Sequence, residues 1–380
     1  MNALDRLNIL SSQTTLEAAE DTHCPQLSKR KQDAITVSQA VMPNGHMINL
    51  LKTLLTSVCE HNCYYCPFRS GRDFQRASFS PDEFARTFIA LYNKKIAEGI
   101  FLSSGVVRDG ILSQDKLIQT AEILRNKYHY RGYLHLKIMP GVEYSQVERS
   151  MQLADRVSIN LEAPNNEKLK HLAPQKQFAD ELMKPLRWID QIRKTVPNNR
   201  NWKHRWPSSV TQFVVGAVGD TDLELLTTTE YLYNQLHLTR TYYSAFNPIE
   251  DTPLENIPPT PPVRQNRLYQ SSFLLRDYNF ALEELPFDSS NNLPLDIDPK
   301  LAWAQMNIGA DPIDIARADY YQLLRIPGIG PRSAKLIIKL RKDTKFRDIH
   351  QLSHLSVNIK RAAPFITLNG KKPAIQLSYL

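Results

Sequence analysis

The chain has 380 residues, 42% hydrophobic and 23% charged, with a formal net charge of +8. That length exceeds one ordinary domain, and the composition excludes a disordered or fibrous chain in favour of a soluble globular one. No apolar run approaches the roughly 20 residues that span a bilayer. The start, Met1-Asn2-Ala3-Leu4-Asp5-Arg6, lacks a signal-peptide pattern. Four cysteines, three of them clustered, make a poor disulfide framework, so a reducing cytoplasm is the expected location.

Residues 1–45 carry weak periodicity and read as an N-terminal extension, in which Cys24 has no evident partner. From 46 to 246 apolar runs at 48–55, 100–103, 133–138, 156–161, 210–215 and 241–246 alternate with segments of helical length. Ser80-Pro81-Asp82-Glu83 opens a helix, with Ser as N-cap, Pro in the first turn and Glu at the capping-box position. Further helices are expected to open at Ser113 and near Thr221-Asp222. Strands alternating with helices predict βαβ units on a parallel sheet, an α/β fold. Six units are too few for a closed eight-stranded barrel and predict a partial (β/α)6 barrel. No internal repeat or low-complexity tract is present.

Pro248, Pro253, Pro258, Pro259, Pro261 and Pro262 then fall within 15 residues and mark a crossing segment or linker, assigned to 247–298. It includes a helix expected over 263–280 and a polar break at 288–292. A small all-α module is expected over 299–380.

The most informative residues are Cys59, Cys63 and Cys66, in Ser57-Val58-Cys59-Glu60-His61-Asn62-Cys63-Tyr64-Tyr65-Cys66-Pro67. Three thiolates on one short loop can hold three irons of a [4Fe–4S] cube and leave the fourth open to a small molecule. A partial zinc site or a chance cluster are the alternatives. Structural zinc would need a fourth Cys or His at suitable spacing; His61 lies inside the loop, and Cys24 is 35 residues upstream.

In the C-terminal module, Leu323-Leu324-Arg325-Ile326-Pro327-Gly328-Ile329-Gly330-Pro331-Arg332-Ser333-Ala334-Lys335 reads as a helix, a Gly-Ile-Gly hairpin and a second helix. The glycines permit backbone conformations closed to other residues. Amides of Gly328, Ile329 and Gly330 at a helix N-terminus suit a phosphate, with Arg332 and Lys335 adding charge. Residues 317–380 hold 13 Lys and Arg against 3 Asp and Glu, a net of +10, so the rest of the chain is about 2 charges negative. That concentration is the footprint expected of a nucleic-acid-binding module. A tight turn used for protein contact is the alternative. Residues 346–363 look like a second, degenerate copy whose turn, Ser356-Val357-Asn358-Ile359, lacks both glycines; it reads as a packing partner with basic edges.

The cysteine spacing, with an aromatic just before the last cysteine, resembles the radical S-adenosylmethionine (SAM) superfamily. The resemblance implies that the open iron chelates SAM and that an electron from the cluster cleaves SAM to a 5'-deoxyadenosyl radical. It implies cofactor contacts from Tyr65, from Ser103, Ser104 and Gly105 at the end of the second strand, and from Ser158, Asn160 and Glu162, which alternation would place on one strand face. At 103–105 two serines replace the usual glycine and acidic residue. Val214-Val215-Gly216-Ala217-Val218-Gly219 fits the element that packs on adenine. Lys137 reads as an inward cation, with a solvated lysine as the alternative. The C-terminal hairpin resembles the helix-hairpin-helix motif, which grips nucleic-acid backbone without reading bases.

Leu51-Lys52-Thr53-Leu54-Leu55, the cysteine loop, Glu98-Gly99-Ile100-Phe101-Leu102-Ser103-Ser104-Gly105, Arg131-Gly132-Tyr133-Leu134-His135-Leu136-Lys137 and Leu172-Ala173-Pro174 occur in that order. With the hairpin, they resemble the DNA modification/repair radical SAM protein family over roughly residues 15–370. The resemblance implies a radical SAM [4Fe–4S] enzyme acting on nucleic acid, an electron donor, and a uracil-DNA-glycosylase-like partner. An RNA-modifying enzyme of the same chemistry and a non-catalytic iron–sulfur nucleic-acid-binding protein remain the alternatives.

Overall fold

The computed structural model describes residues 2–12, 14, 22–23, 35, 37–42, 45–343 and 345–373; Cys24 lies outside them. The chain forms two compact units, Met1–Asp220 with Tyr231–Thr260, and Thr221–Glu230 with Pro261–Leu380. No helix among the described residues is long and apolar enough to cross a membrane.

The first unit is built on an eight-stranded sheet in sequential order: β1 (Thr22–His23), β2 (Val37–Val41), β3 (Met47–Leu54), β4 (Gly99–Ser103), β5 (Tyr133–Lys137), β6 (Arg156–Ser158), β7 (Ser208–Val215) and β8 (Arg240–Ala245). β1 to β3 pair antiparallel, and β3 to β8 run parallel, with Leu51 opposite Ile100, Lys137 opposite Ser158 and Phe213 opposite Tyr243. The outermost strands are not paired to one another, so the sheet is a half-barrel. β4 is buried at every position, as expected of a parallel strand covered on both faces.

The crossovers carry α2 (Pro81–Asn93), α3 (Gly110–Glu122), α4 (Tyr144–Leu153), α5 (Asn166–Leu172), α6 (Lys184–Thr195) and α7 (Asp222–Leu236), after an opening α1 (Ala3–Ser12). Ser80 caps α2 as expected, its hydroxyl accepting from Glu83 N–H at 3.4 Å, but the Glu83 carboxylate pairs with Arg6 instead of closing a capping box. α3 begins at Gly110, ahead of Ser113, because Asp109 is its N-cap and accepts from Leu112 N–H at 2.7 Å. At the N-terminal end of the sheet, Arg125 donates to the Leu153, Tyr130 and Gly132 carbonyls and pairs with Asp155 at 3.1 Å.

β6 is shorter than expected. It ends at Ser158, and Glu162 sits at φ +66°. Beyond Ser158 the chain stays bonded to β7 less regularly: Ile159 N–H donates to Val210 O at 3.2 Å, Leu161 N–H donates to Thr211 Oγ1 at 3.1 Å, and Glu162 donates its N–H to Gln212 O at 2.9 Å and accepts on its carbonyl from Val214 N–H at 2.7 Å. Ser158, Asn160 and Glu162 therefore do not share one regular strand face.

The second unit contains α8 (Pro262–Asp277), α9 (Pro299–Asn307), α10 (Tyr320–Arg325), α11 (Pro331–Leu340), a 3-10 segment Ile349–Leu355 and α12 (Ile359–Ala362). Ile315, Leu323, Ile326, Ala334, Ile337, Leu352 and Ile366 share its core. It is not all-α: β9 (Ile313–Asp314) pairs parallel with β10 (Ile366–Thr367). The Asp314 carboxylate fixes that pair by accepting from the N–H groups of Ala316, Asn369 and Gly370.

Two turns between helical segments, 326–330 and 356–358, pack on each other in this unit. Gly328 is at φ +85°, and a Cβ there would fall 2.5 Å from Asn358 O. The Gly328 carbonyl accepts from Asn358 N–H at 3.0 Å, and Ser333 Oγ donates to Ser356 O at 3.2 Å. The second turn takes its left-handed residue from Ser356, at φ +59°, instead of glycine.

Candidate functional site

A cavity of about 210 Å³ opens at the C-terminal ends of the parallel strands. Cys59, Cys63, Tyr65 and Cys66 line it, together with Ser103, Ser104, Gly105, Lys137, Asn160 and Glu162. These come from four separate stretches of sequence, and the half-barrel brings them together. Ser158 is buried on β6, but it is not among the lining residues.

The cysteine loop has little regular structure and is held by hydrogen bonds from outside it. Tyr64 N–H donates to Leu172 O and Asn62 N–H to Gln175 Oε1, both at 2.8 Å. The Arg76 guanidinium donates to four carbonyls, those of Ser57, Phe68, Arg69 and Arg72. Leu172-Ala173-Pro174 thus serves as a support for this loop.

The three cysteines are free thiols, and two receive backbone donors: Val106 N–H on Cys59 Sγ and Phe68 N–H on Cys66 Sγ, each at 3.4 Å. Burial pushes the Cys63 and Cys66 thiols up from their ordinary values. Thiols so placed are poor nucleophiles by themselves, whereas a coordinated metal deprotonates them outright. Among the described residues no group of His, Cys, Asp and Glu side chains closes on a single metal ion. A cubane takes each thiolate on a different iron and spreads its ligands more widely. Three soft donors lining one cavity, two of them with N–H···S bonds, therefore fit a [4Fe–4S] cluster.

Opposite them the wall is polar and partly unsatisfied. Among the described residues Gln212 Oε1 on that wall is buried without a hydrogen-bond partner, as is His61 Nδ1 in the cysteine loop, a cost that a ligand would offset. Burial and the Glu162 carboxylate raise the Tyr65 hydroxyl well above its ordinary value, so it stays protonated. Burial and the nearby Lys176 lower the His61 imidazole, which favours its neutral form. Ser104 spends its hydroxyl on Gly105 O at 2.9 Å. Leu54, Ile138, Met139, Val214 and Phe246 supply apolar lining.

Two cavity residues escaped the sequence reading. Lys176 follows the Leu172-Ala173-Pro174 stretch by two positions and pairs with Glu162 at 2.9 Å. Gln212 is a polar residue inside the apolar run 210–215, and that break in the pattern was its only signal.

In the second unit, Arg332 and Lys335 are exposed on α11, just after the hairpin. The Ile329 side chain is buried, and its N–H donates to Ile326 O at 3.2 Å, so its amide is engaged within the hairpin. Its carbonyl accepts from Lys300 Nζ at 2.6 Å.

Residues 53–232 match the model of the radical SAM superfamily. No curated protein matches the sequence. Among solved structures, the chain is similar to HydG, a maturase of the [FeFe]-hydrogenase, at 11% identity over 60% of this chain and 49% of that one, with a TM-score of 0.46. Methylornithine synthase (PylB) is 13% identical over 60% and 62% of the two chains, with a TM-score of 0.46. The radical SAM methyltransferase TsrM from Kitasatospora setae, solved with cobalamin and a [4Fe-4S] cluster, is 13% identical over 55% and 36%, with a TM-score of 0.41. The chain thus spans less than two thirds of the length of each of these three. The match places a radical SAM superfamily domain over residues 53–232, and that superfamily uses a [4Fe–4S] cluster and S-adenosylmethionine.

Proposed function

We propose that this radical SAM enzyme acts on nucleic acid, in DNA modification or repair. The observation that carries the reading is the hairpin of the second unit, with Arg332 and Lys335 exposed beside it in a stretch of net charge +10. Amides of Gly328 and Gly330 with two flanking cations form a phosphate grip, which positions a strand without reading its sequence. A base or sugar must leave a duplex, or be single-stranded, to reach an enclosed site.

In the half-barrel, Cys59, Cys63 and Cys66 would hold the cluster. When bound, the cluster and SAM supply reductive cleavage of SAM and hydrogen abstraction from a substrate. The chain's residues bind, orient and exclude water. Asn160 and Glu162 offer polar partners to SAM, and the backbone of 103–105 offers carbonyls. Leu54, Ile138, Met139 and Phe246 keep bulk water out. Tyr65 holds its proton beside Glu162. A one-electron donor is required, and a uracil-DNA-glycosylase-like protein is the partner we propose.

The test is affinity for unrelated DNA duplexes, and for RNA of the same sequences, at two salt concentrations. Arg332→Ala and Lys335→Ala should each weaken binding about equally across sequences and lower the salt slope by roughly one. Unchanged affinity and slope would remove the hairpin as the nucleic-acid handle. Tighter binding to RNA than DNA would move the reading to RNA modification.

A further inference from the structure

Lys176 belongs to none of the groups that the sequence assigned. Its ammonium lies 2.9 Å from Glu162 Oε1, with the two side chains 10% and 4% exposed. Both line the cavity that Cys59, Cys63 and Cys66 share. The loop that carries Lys176 is bonded to the cysteine loop at Leu172 and Gln175, and Lys176 N–H closes a turn onto Ala173 O at 3.0 Å. The loop backbone is therefore held, and Glu162 holds the ammonium at its end.

A buried ion pair is a weak source of stability, since desolvation offsets the attraction and apolar replacements are often neutral. Burial opposes the charge on Lys176, but the Glu162 carboxylate 2.9 Å away outweighs it and holds the group protonated. A buried ammonium–carboxylate pair thus stands in the cavity lined by the groups that would carry the cluster.

We propose that Lys176 and Glu162 are an opposed charge pair that sets the reduction potential of the cluster held by Cys59, Cys63 and Cys66. One added electron makes that site one charge more negative. A fixed ammonium nearby favours the reduced state, and a fixed carboxylate disfavours it, with little screening because both are buried. Cluster potentials respond to net charge, to hydrogen bonds on sulfur and to exposure. The N–H···S bonds on Cys59 and Cys66 act in the same direction as Lys176. The inference rests on the cysteines holding the cluster, which iron and sulfide content checks separately.

The experiment is a redox titration of full-length, anaerobically reconstituted protein without SAM, followed by electron paramagnetic resonance of the reduced cluster. K176M should move the midpoint to more negative potential, and E162Q should move it to less negative potential. The double variant should return toward wild type, and K176R should stay near it. A merely structural role would move both single variants the same way or leave both midpoints unmoved, and either result overturns the proposal. If K176M does not retain its irons, E162Q and the double variant decide: a double variant no more negative than E162Q also overturns it.

Discussion

Gly105 stands where a Cβ would fall 2.1 Å from the carbonyl oxygen of Val58 and 3.1 Å from Cys59 Cβ. Its N–H donates to Thr56 O at 2.8 Å, so the end of β4 packs directly on the residues that lead into the cysteine loop. Any side chain must push that backbone away. Gly105→Ala should cost on the order of 1–3 kcal/mol, as overpacking in a tight site does. Thermal unfolding should show a lower midpoint, and iron analysis after reconstitution should show reduced occupancy. Unchanged values of both would mean that β4 does not position the loop.

The ligand set makes the next prediction. Anaerobically prepared protein should carry about four irons. Replacing any one of Cys59, Cys63 or Cys66 by Ala should abolish the cluster, while Cys24→Ala should keep it. Loss of iron in the Cys24 variant would place a ligand outside the loop.

Asn160→Ala and Glu162→Ala remove polar partners from the cavity wall facing the cysteines. Each should keep about four irons and weaken SAM binding, read by equilibrium dialysis of the reconstituted protein. Wild-type SAM affinity in both would mean that the wall is polar for another ligand.

Lys300 gives a pH dependence. Burial, helped by the neighbouring Arg361, lowers its ammonium to about 7. An unfolded lysine titrates near ~10.4. Between those values the unfolded chain binds a proton that the folded chain does not, so this group adds stability as pH rises from about 7 toward ~10. Below that window the full penalty of burying the charge remains. Wild type should gain melting temperature relative to Lys300→Met over this rise. A constant difference between the two proteins would show that Lys300 does not titrate low.

The parallel half-barrel was legible because each strand is a short apolar run bounded by turn residues, and β3 to β8 appear within a few residues of where periodicity places them. The end of β6 was not legible. Residues 156–161 alternate like a strand, yet Glu162 turns left-handed and bonds β7 instead, a tertiary outcome that local pattern does not encode. α3 opens three residues ahead of Ser113 because Asp109 supplies the cap, accepting from Leu112 N–H. The cysteines declared themselves by spacing. Lys176 did not, because nothing in a lone lysine on a loop signals that folding buries it against Glu162. Gly328 reads in the sequence as an opening for phosphate; in the fold it is where the Asn358 backbone packs.

The central claim is that the half-barrel generates radical chemistry directed at a nucleic acid. The most direct measurement is anaerobic incubation of the reconstituted protein with SAM, reductant and single-stranded or duplex DNA, followed by mass analysis of 5'-deoxyadenosine and of the nucleosides released by digestion. The account predicts 5'-deoxyadenosine that rises with DNA, together with a nucleoside of altered mass, both lost in Cys63→Ala. Cleavage of SAM that ignores DNA and RNA alike, with every nucleoside unchanged, would contradict it.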